Sequence, residues 1–172
     1  MTVEASSTFW IGLDDTDERE HGCTTFDFND LLDHLESSGF TISDPRLVRL
    51  WPFAPQRTRG NAALSAAVST VDRNGLVSTL DDWFTNRFSD NQRGAQLHSA
   101  QPVLLMTNEQ LPEKIYWDTV KHHVELENRL NELDAIDHRF WSTPAGQSGL
   151  IGASAAIAWR GDHDCTWECT AW

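Results

Sequence analysis

The chain has 172 residues, 40 % of them hydrophobic and 23 % charged, which suits one generous globular domain or two small ones sharing an interface. Its formal net charge is −13, from 16 Asp and 10 Glu against 11 Arg and only two Lys, and such a surface repels polyanions rather than gripping nucleic acid non-specifically by itself. No stretch reaches the roughly 20 apolar residues of a membrane helix, and an odd count of three cysteines argues against a disulfide framework.

Met1 to Ser7 has neither a basic nor an apolar signal region, so the expectation is no signal peptide and a cytoplasmic location. Thr8 to Leu13 reads as a buried strand running straight into acidic residues. Thr25 to Glu36 reads as a helix, with Phe28, Leu31, Leu32 and Leu35 at helical spacing and Gly39 just past its end. Arg46 to Trp51 predicts a short strand closed by Pro52 and Pro55, and Asn61 to Val71 another strand. Gly75 to Phe88 is helical in its apolar period, Pro102 to Thr107 is a buried strand, and Glu109 to Leu133 is one long helix or two broken ones. Arg139 to Thr143 predicts a strand, Gly149 to Trp159 an Ala-rich helix, and Asp164 to Ala171 a last strand.

Several connections are too short for parallel crossovers. The expected fold is therefore α+β, a two-layer arrangement of a mixed sheet with packed helices, in which the last strand–helix–strand section completes a split βαβ unit. The chain reads as a single unit, with the polar stretch 89–101 as the best candidate for an internal seam. Cys165, Trp167 and Cys169 alternate along the last strand, which predicts core packing rather than zinc binding. Asp162-His163-Asp164 reads as a polar turn. Most of the eight Trp read as core, and Trp51 is the best candidate for one that stacks on a base.

Chemistry concentrates in two segments. Asp14, Asp15 and Asp17 follow the first strand directly, and carboxylates so crowded repel one another unless a cation or hydrogen bonds compensate. Mg²⁺ held by one or two of them with phosphate oxygens is the functional reading, and a polar turn capped by Asp is the plain one. Gly22-Cys23-Thr24-Thr25 precedes a helix, whose free backbone N–H groups favour an anion, while Thr24 with Asp27 also fits a capping box. Cys23 has only His21 nearby to activate it as a nucleophile. Arg57-Thr58-Arg59-Gly60-Asn61 reads as a phosphate clamp, or as arginines paired with the acidic cluster.

Taken together, Ile11 to Asp17, Gly22 to Thr25, Leu47 to Leu50 with Pro52 and Pro55, Thr58 to Asn61, and Gly149 to Ala153 with Ala155 to Ile157 resemble the tRNA-isoleucine agmatidine synthetase (TiaS) family. The resemblance implies a kinase-like module beside a ferredoxin-like section, with ATP and Mg²⁺ as cofactors. That family uses ATP to activate the 2-carbonyl oxygen of an anticodon cytidine, which agmatine then displaces. By resemblance Asp14, Asp15 and Asp17 serve metal and phosphate chemistry, and Thr24 is the threonine that can take a phosphate. Gly22, Cys23, Thr25, Arg57, Thr58, Arg59, Gly60 and Asn61 would hold the nucleotide. Gln147 and Ser148 stand where the family has a Gly and an Arg, and Trp51, Gln56 and Arg57 also depart from its pattern. No Cys-x-x-Cys pair is present, so the family's oligonucleotide-binding fold and zinc ribbon are expected to be absent. The expected function is an ATP- and Mg²⁺-dependent phosphoryl-transfer domain whose partners are a nucleotide and, only where a separate RNA-binding subunit or domain is supplied, tRNA. A catalytically inactive binding module and one subunit of a split enzyme are the alternatives; no membrane partner is expected, and homo-oligomerisation stays open.

Overall fold

The computed structural model describes residues 6–55, 57–58, 60–88 and 99–161. Its elements run β1 (Ser7–Asp14), α1 (Thr24–Ser37), β2 (Thr41–Arg49), β3 (Ala62–Thr70), α2 (Arg73–Phe88), β4 (Val103–Thr107), α3 (Glu113–Lys121), α4 (Leu126–Leu133), β5 (His138–Ser142) and α5 (Gly149–Ala158). The strands form one sheet in the order β2-β3-β1-β4-β5. Every ladder among the described residues is antiparallel, where the sequence led us to expect a mixed sheet. The short connections explain this: β2 returns directly along β3, and the two crossovers through α1 and α2 each leap over a strand. Thus β1–α1–β2 has β3 inserted between its strands, and β3–α2–β4 has β1 inserted. Both are split βαβ units. They lie earlier than expected, and the predicted last strand with Cys165 and Cys169 falls outside the described residues, as does most of 89–101.

The period-two alternation of β1 sorts its side chains between two cores. Phe9, Ile11 and Leu13 face a core built with Phe28, Leu31 and Leu35 of α1 and Leu76, Leu80, Trp83, Phe84 and Phe88 of α2. Trp10 faces the other way, toward a core of Val103, Leu105, Leu111, Ile115, Leu133, Leu150, Ala153 and Ile157. Helices therefore pack on both faces of the sheet. Gly12 lets α5 lie directly on β1, because a Cβ there would stand 2.4 Å from the Ala153 carbonyl oxygen. The indole N–H of Trp83 donates to Asp30 at 2.9 Å and that of Trp141 to Asp81 at 2.7 Å, so each ring is buried with its polar handle satisfied.

Most predicted elements appear close to their expected bounds, one start differs, and the long helical stretch takes the broken form of its two expected alternatives. β2 begins at Thr41 rather than Arg46, because Asp44 takes φ 55° at an irregularity between Ser43 and Arg46 and lets the edge strand continue past Pro45. The long helical stretch is interrupted, and α3 and α4 are both tied to α5 by Arg129. That side chain is fully buried, donating to the carbonyls of Ile115 and Ile151 and to Thr119, Ser154 and Glu132. No helix among the described residues is long and apolar enough to cross a membrane.

Candidate functional site

The carboxyl end of β1 delivers Asp14, and the loop that follows delivers Asp15 and Asp17, to a cavity of about 150 Å³. Its walls come from four separate parts of the chain. Asp14, Asp15 and Asp17 form one, and Leu50, Trp51, Ala54, Arg57, Thr58, Gly60 and Asn61 of the β2–β3 connection form a second. Thr119, His122, His123 and Val124 at the end of α3 form a third, and Ser148, Ile151 and Gly152 at the start of α5 close the fourth. The acidic loop and the Thr58 segment are thus brought together, as their residue types suggested.

Each carboxylate sits in a distinct environment. Asp14 presses against α5 so closely that a Cβ on Gly152 would stand 1.8 Å from its Oδ2. Burial first, and then the negative charges of Asp15 and Asp17, hold the Asp14 carboxyl well above the usual carboxylate range. Asp15 has φ 59°, and its Oδ2 accepts from the Gln101 backbone N–H at 3.0 Å and from the Ser148 hydroxyl at 3.0 Å. Burial pushes its carboxyl up to about 6, against those two hydrogen bonds, with the charges of Asp17 and Glu18 adding to the rise. Asp17 joins two elements: Thr24 donates to its Oδ1 at 3.1 Å and Thr58 to its Oδ2 at 3.0 Å.

Behind this loop lies a buried support. Thr16 is fully buried and donates to Asp27 Oδ2 at 2.7 Å, while Arg87 of α2 donates twice to Asp27 Oδ1, at 3.0 and 2.5 Å. The capping box expected of Thr24 and Asp27 is therefore not formed. Cys23 occupies the N-cap position without a side-chain cap, Thr24 turns to Asp17, and Asp27 is committed to Thr16 and Arg87.

The other predicted residues divide. Arg57, Thr58, Gly60 and Asn61 line the cavity, Arg57 from an exposed position at its rim. Thr24 is 8 % exposed and reaches the cavity through Asp17 rather than lining it. Gly22, at φ 82°, packs on the loop itself, where a Cβ would stand 2.7 Å from the Thr16 carbonyl oxygen. Cys23 is exposed, and Thr25 lines a different, shallow groove with Phe28, Pro45 and Leu47. Arg59 lies outside the described residues.

Sequence reasoning passed over Ser148, Gly152, Thr119, His122 and His123 as cavity residues. For Gly152 a signal existed, since a glycine three residues after Gly149 inside an Ala-rich helix marks a close approach. The α3 residues carried none, because only the tertiary fold brings them round.

Among the described residues no group of three or more His, Cys, Asp or Glu is arranged to hold a metal by itself. The donor set still fits Mg²⁺, which is typically bound through one or two carboxylates completed by phosphate oxygens and water. Asp14 suits such a role, because burial first and then the charges of Asp15 and Asp17 raise its carboxyl, and a cation would stabilise its ionised form.

The sequence pattern of the TiaS TCKD domain matches residues 10–78. The chain is 29 % identical over 166 residues to the tRNA 2-agmatinylcytidine synthetase TiaS of Caldivirga maquilingensis, a match covering 95 % of this chain and 38 % of that protein. It is 30 % identical over 162 residues to the enzyme of the same name from Methanocorpusculum labreanum, covering 94 % and 37 %. Among solved structures, a complex of TiaS with tRNA and ATP superposes with TM-score 0.75 at 25 % identity, over 91 % of this chain and 37 % of that one. A tRNA fluorescent labelling enzyme superposes with TM-score 0.76 at 26 % identity, over 91 % and 37 %. The chain spans little more than a third of the length of these relatives.

Proposed function

Because the chain belongs to the TiaS family, we propose that its acidic cavity binds the phosphates of ATP with Mg²⁺ and that the chain carries the ATP-using, phosphoryl-transfer part of an RNA-modifying reaction. The observation that carries this reading is the convergence of Asp14, Asp15 and Asp17 with Thr58, Gly60 and the start of α5 around one cavity. The resemblance to a tRNA- and ATP-bound TiaS supports it. The β-α-β-β-α-β order of β1 to β4 supports a ferredoxin-like section within the proposed kinase-like and ferredoxin-like unit.

In this reading Asp14, with Asp15 or Asp17, holds Mg²⁺, which supplies charge neutralisation on the transferring phosphoryl group. Arg57 and Thr58 orient phosphate oxygens, and Gly60 admits them close to the backbone. Ser148, Ile151 and Gly152 bring the positive end of the α5 dipole to the same wall, while the first N–H groups of that helix already donate to Gln101, Gln147 and Ser148. Thr24 acts as a phosphate carrier: its Oγ1 bonds to the γ-phosphorus as the bond to ADP breaks, and its proton passes to Asp17, the acceptor it already faces. Contact with tRNA is assigned to a separate RNA-binding domain or subunit, because a net charge of −13 opposes a grip on RNA by this chain alone.

Calorimetric titration with ATP in the presence of Mg²⁺ tests the binding. Millimolar ATP is expected to give a saturable, Mg²⁺-dependent signal, and its absence removes the proposal. A second reading, a nucleotide-binding module without transfer activity, draws on the low exposure of Thr24, 8 %. Incubation with γ-labelled ATP separates the two, since transfer predicts label on the protein that disappears in Thr24→Ala.

A further inference from the structure

The cavity is small for the ligand assigned to it. At about 150 Å³ it lies below the roughly 300–1,000 Å³ of pockets that enclose drug-sized molecules, so a metal and phosphates fill it and a nucleoside must extend through its mouth. What stands at that mouth then decides how the rest of the ligand is held.

One lip is aromatic. Trp51 lines the cavity, and two residues on, Phe53 is 71 % exposed, more than the other exposed large hydrophobics among the described residues. Their rings meet at 6.2 Å between centroids and 72° between planes, the edge-to-face geometry that aromatic pairs favour. A chain with so much acidic surface gains nothing in solubility from leaving a phenyl ring in water beside its carboxylate-lined cavity.

The lip is also preorganised. Asn61 Nδ2 donates to the Trp51 carbonyl at 2.7 Å, Leu50 N–H to the Asn61 carbonyl at 2.9 Å, and Arg57 N–H to the Ala54 carbonyl at 3.3 Å. Pro52 and Pro55 bracket Phe53 and restrict the backbone on either side. A platform fixed in advance loses little conformational freedom when a flat ring settles on it. The segment that carries the aromatic pair continues into Thr58 and Gly60, so both ends of one nucleotide would be read by a single connection between β2 and β3.

We infer that Trp51 and Phe53 form an aromatic platform for the purine base of the nucleotide whose phosphates occupy the acidic cavity, one ring stacking on the base while the other, nearly perpendicular to it, borders the base's edge. The inference rests on the nucleotide reading given above and adds the subsite for the base. It commits to the nucleotide's own base, rather than a base of RNA, because Trp51 belongs to the wall of the phosphate cavity itself.

Titration calorimetry with two probes tests it: ATP with Mg²⁺, and inorganic tripolyphosphate with Mg²⁺, which has the phosphates and no base. Trp51→Ala and Phe53→Ala are expected to weaken ATP by about 5- to 50-fold, the range of lost base stacking; Phe53→Ala, which lies off the phosphate wall, should change tripolyphosphate by less than about twofold, and Trp51→Ala should cost tripolyphosphate less than it costs ATP. Trp51→Phe should restore ATP affinity to within about fivefold of the parent, since a ring remains. Phe53→Ala, at so exposed a site, leaves the fold intact and keeps the comparison readable if Trp51→Ala disturbs it. Unchanged ATP affinity in both alanine variants overturns the platform, and so does an equal loss for both probes. If the parent protein binds neither probe, the nucleotide reading itself fails; if it binds both equally well, only the base subsite fails.

Discussion

Asp15 combines a left-handed backbone with a carboxyl titrating at about 6, and both bear on what replaces it. Asn tolerates φ near 60° better than most residues and can still accept from the Gln101 N–H and the Ser148 hydroxyl. The folded-state value lies above the roughly 3.9 of an unfolded Asp, so the ionised group opposes folding above pH 6, and that penalty is relieved as pH falls through about 6 toward 4. Asp15→Asn is therefore expected to raise stability by about 1–2 kcal/mol at pH 7.5, with the gain vanishing near pH 4, as urea unfolding at both values would show. On the proposed function the ligand responds oppositely, and affinity for Mg²⁺ with ATP declines as pH drops below 6. Gly152→Ala makes a second residue-scale test. The new methyl displaces the Asp14 carboxylate rather than backbone, and an Ala inside a helix gains up to about 1 kcal/mol, so melting should move little. The same variant is expected to lose at least about tenfold in ATP affinity, a carboxylate having been pushed off its site. The acidic run was legible because its residues are crowded together in sequence; the helical spacing of Gly149 and Gly152 signalled a close approach, but not that Asp14 is the partner, which lies in another element and far away in sequence.

Among elements, the connection that matters most to the site runs from α2 through α1 to the acidic loop. Arg87 neutralises Asp27, and Asp27 fixes Thr16, the residue between Asp15 and Asp17. Removing the Arg87 cation takes a close ion-pair partner from a fully buried carboxylate. Arg87→Leu is expected to destabilise by about 2–4 kcal/mol, and adding Asp27→Asn should recover part of that loss, as a double-mutant cycle in urea would measure. A full additive loss in the double variant would show that the two side chains act separately. Helix and strand existence followed well from apolar patterning, because α1 and α2 each bury a face that their spacing declares and β4 is an apolar run buried along its whole length. Asp44-Pro45 concealed the first half of β2, since that dipeptide reads as a turn unless pairing with β3 is known. Thr24 likewise matched a local capping pattern, and a tertiary partner, Asp17, outcompeted it.

At the scale of the whole molecule, a charge of −13 on 172 residues makes the folded state repel itself, and added salt screens that repulsion. The melting temperature is expected to rise by about several degrees between roughly 0.05 and 1 M KCl, and a fall would show that attractive surface pairs dominate instead. The α+β class was legible from alternating strands and helices, whereas the strand order was not, because no local signal reveals that β3 slips between β1 and β2. The missing side chain at Gly12 has a dynamic consequence as well. With the backbones of β1 and α5 in direct contact there, no compressible layer of side chains separates them at that point, and the two behave as one anvil. Any jaw that opens to admit a ligand must then be sought in the other walls, at the turn bearing Trp51 and Phe53 or the bend at His122 and His123. Entry and release would be timed by those two rims while the floor beneath them, with Asp14 upon it, stays still.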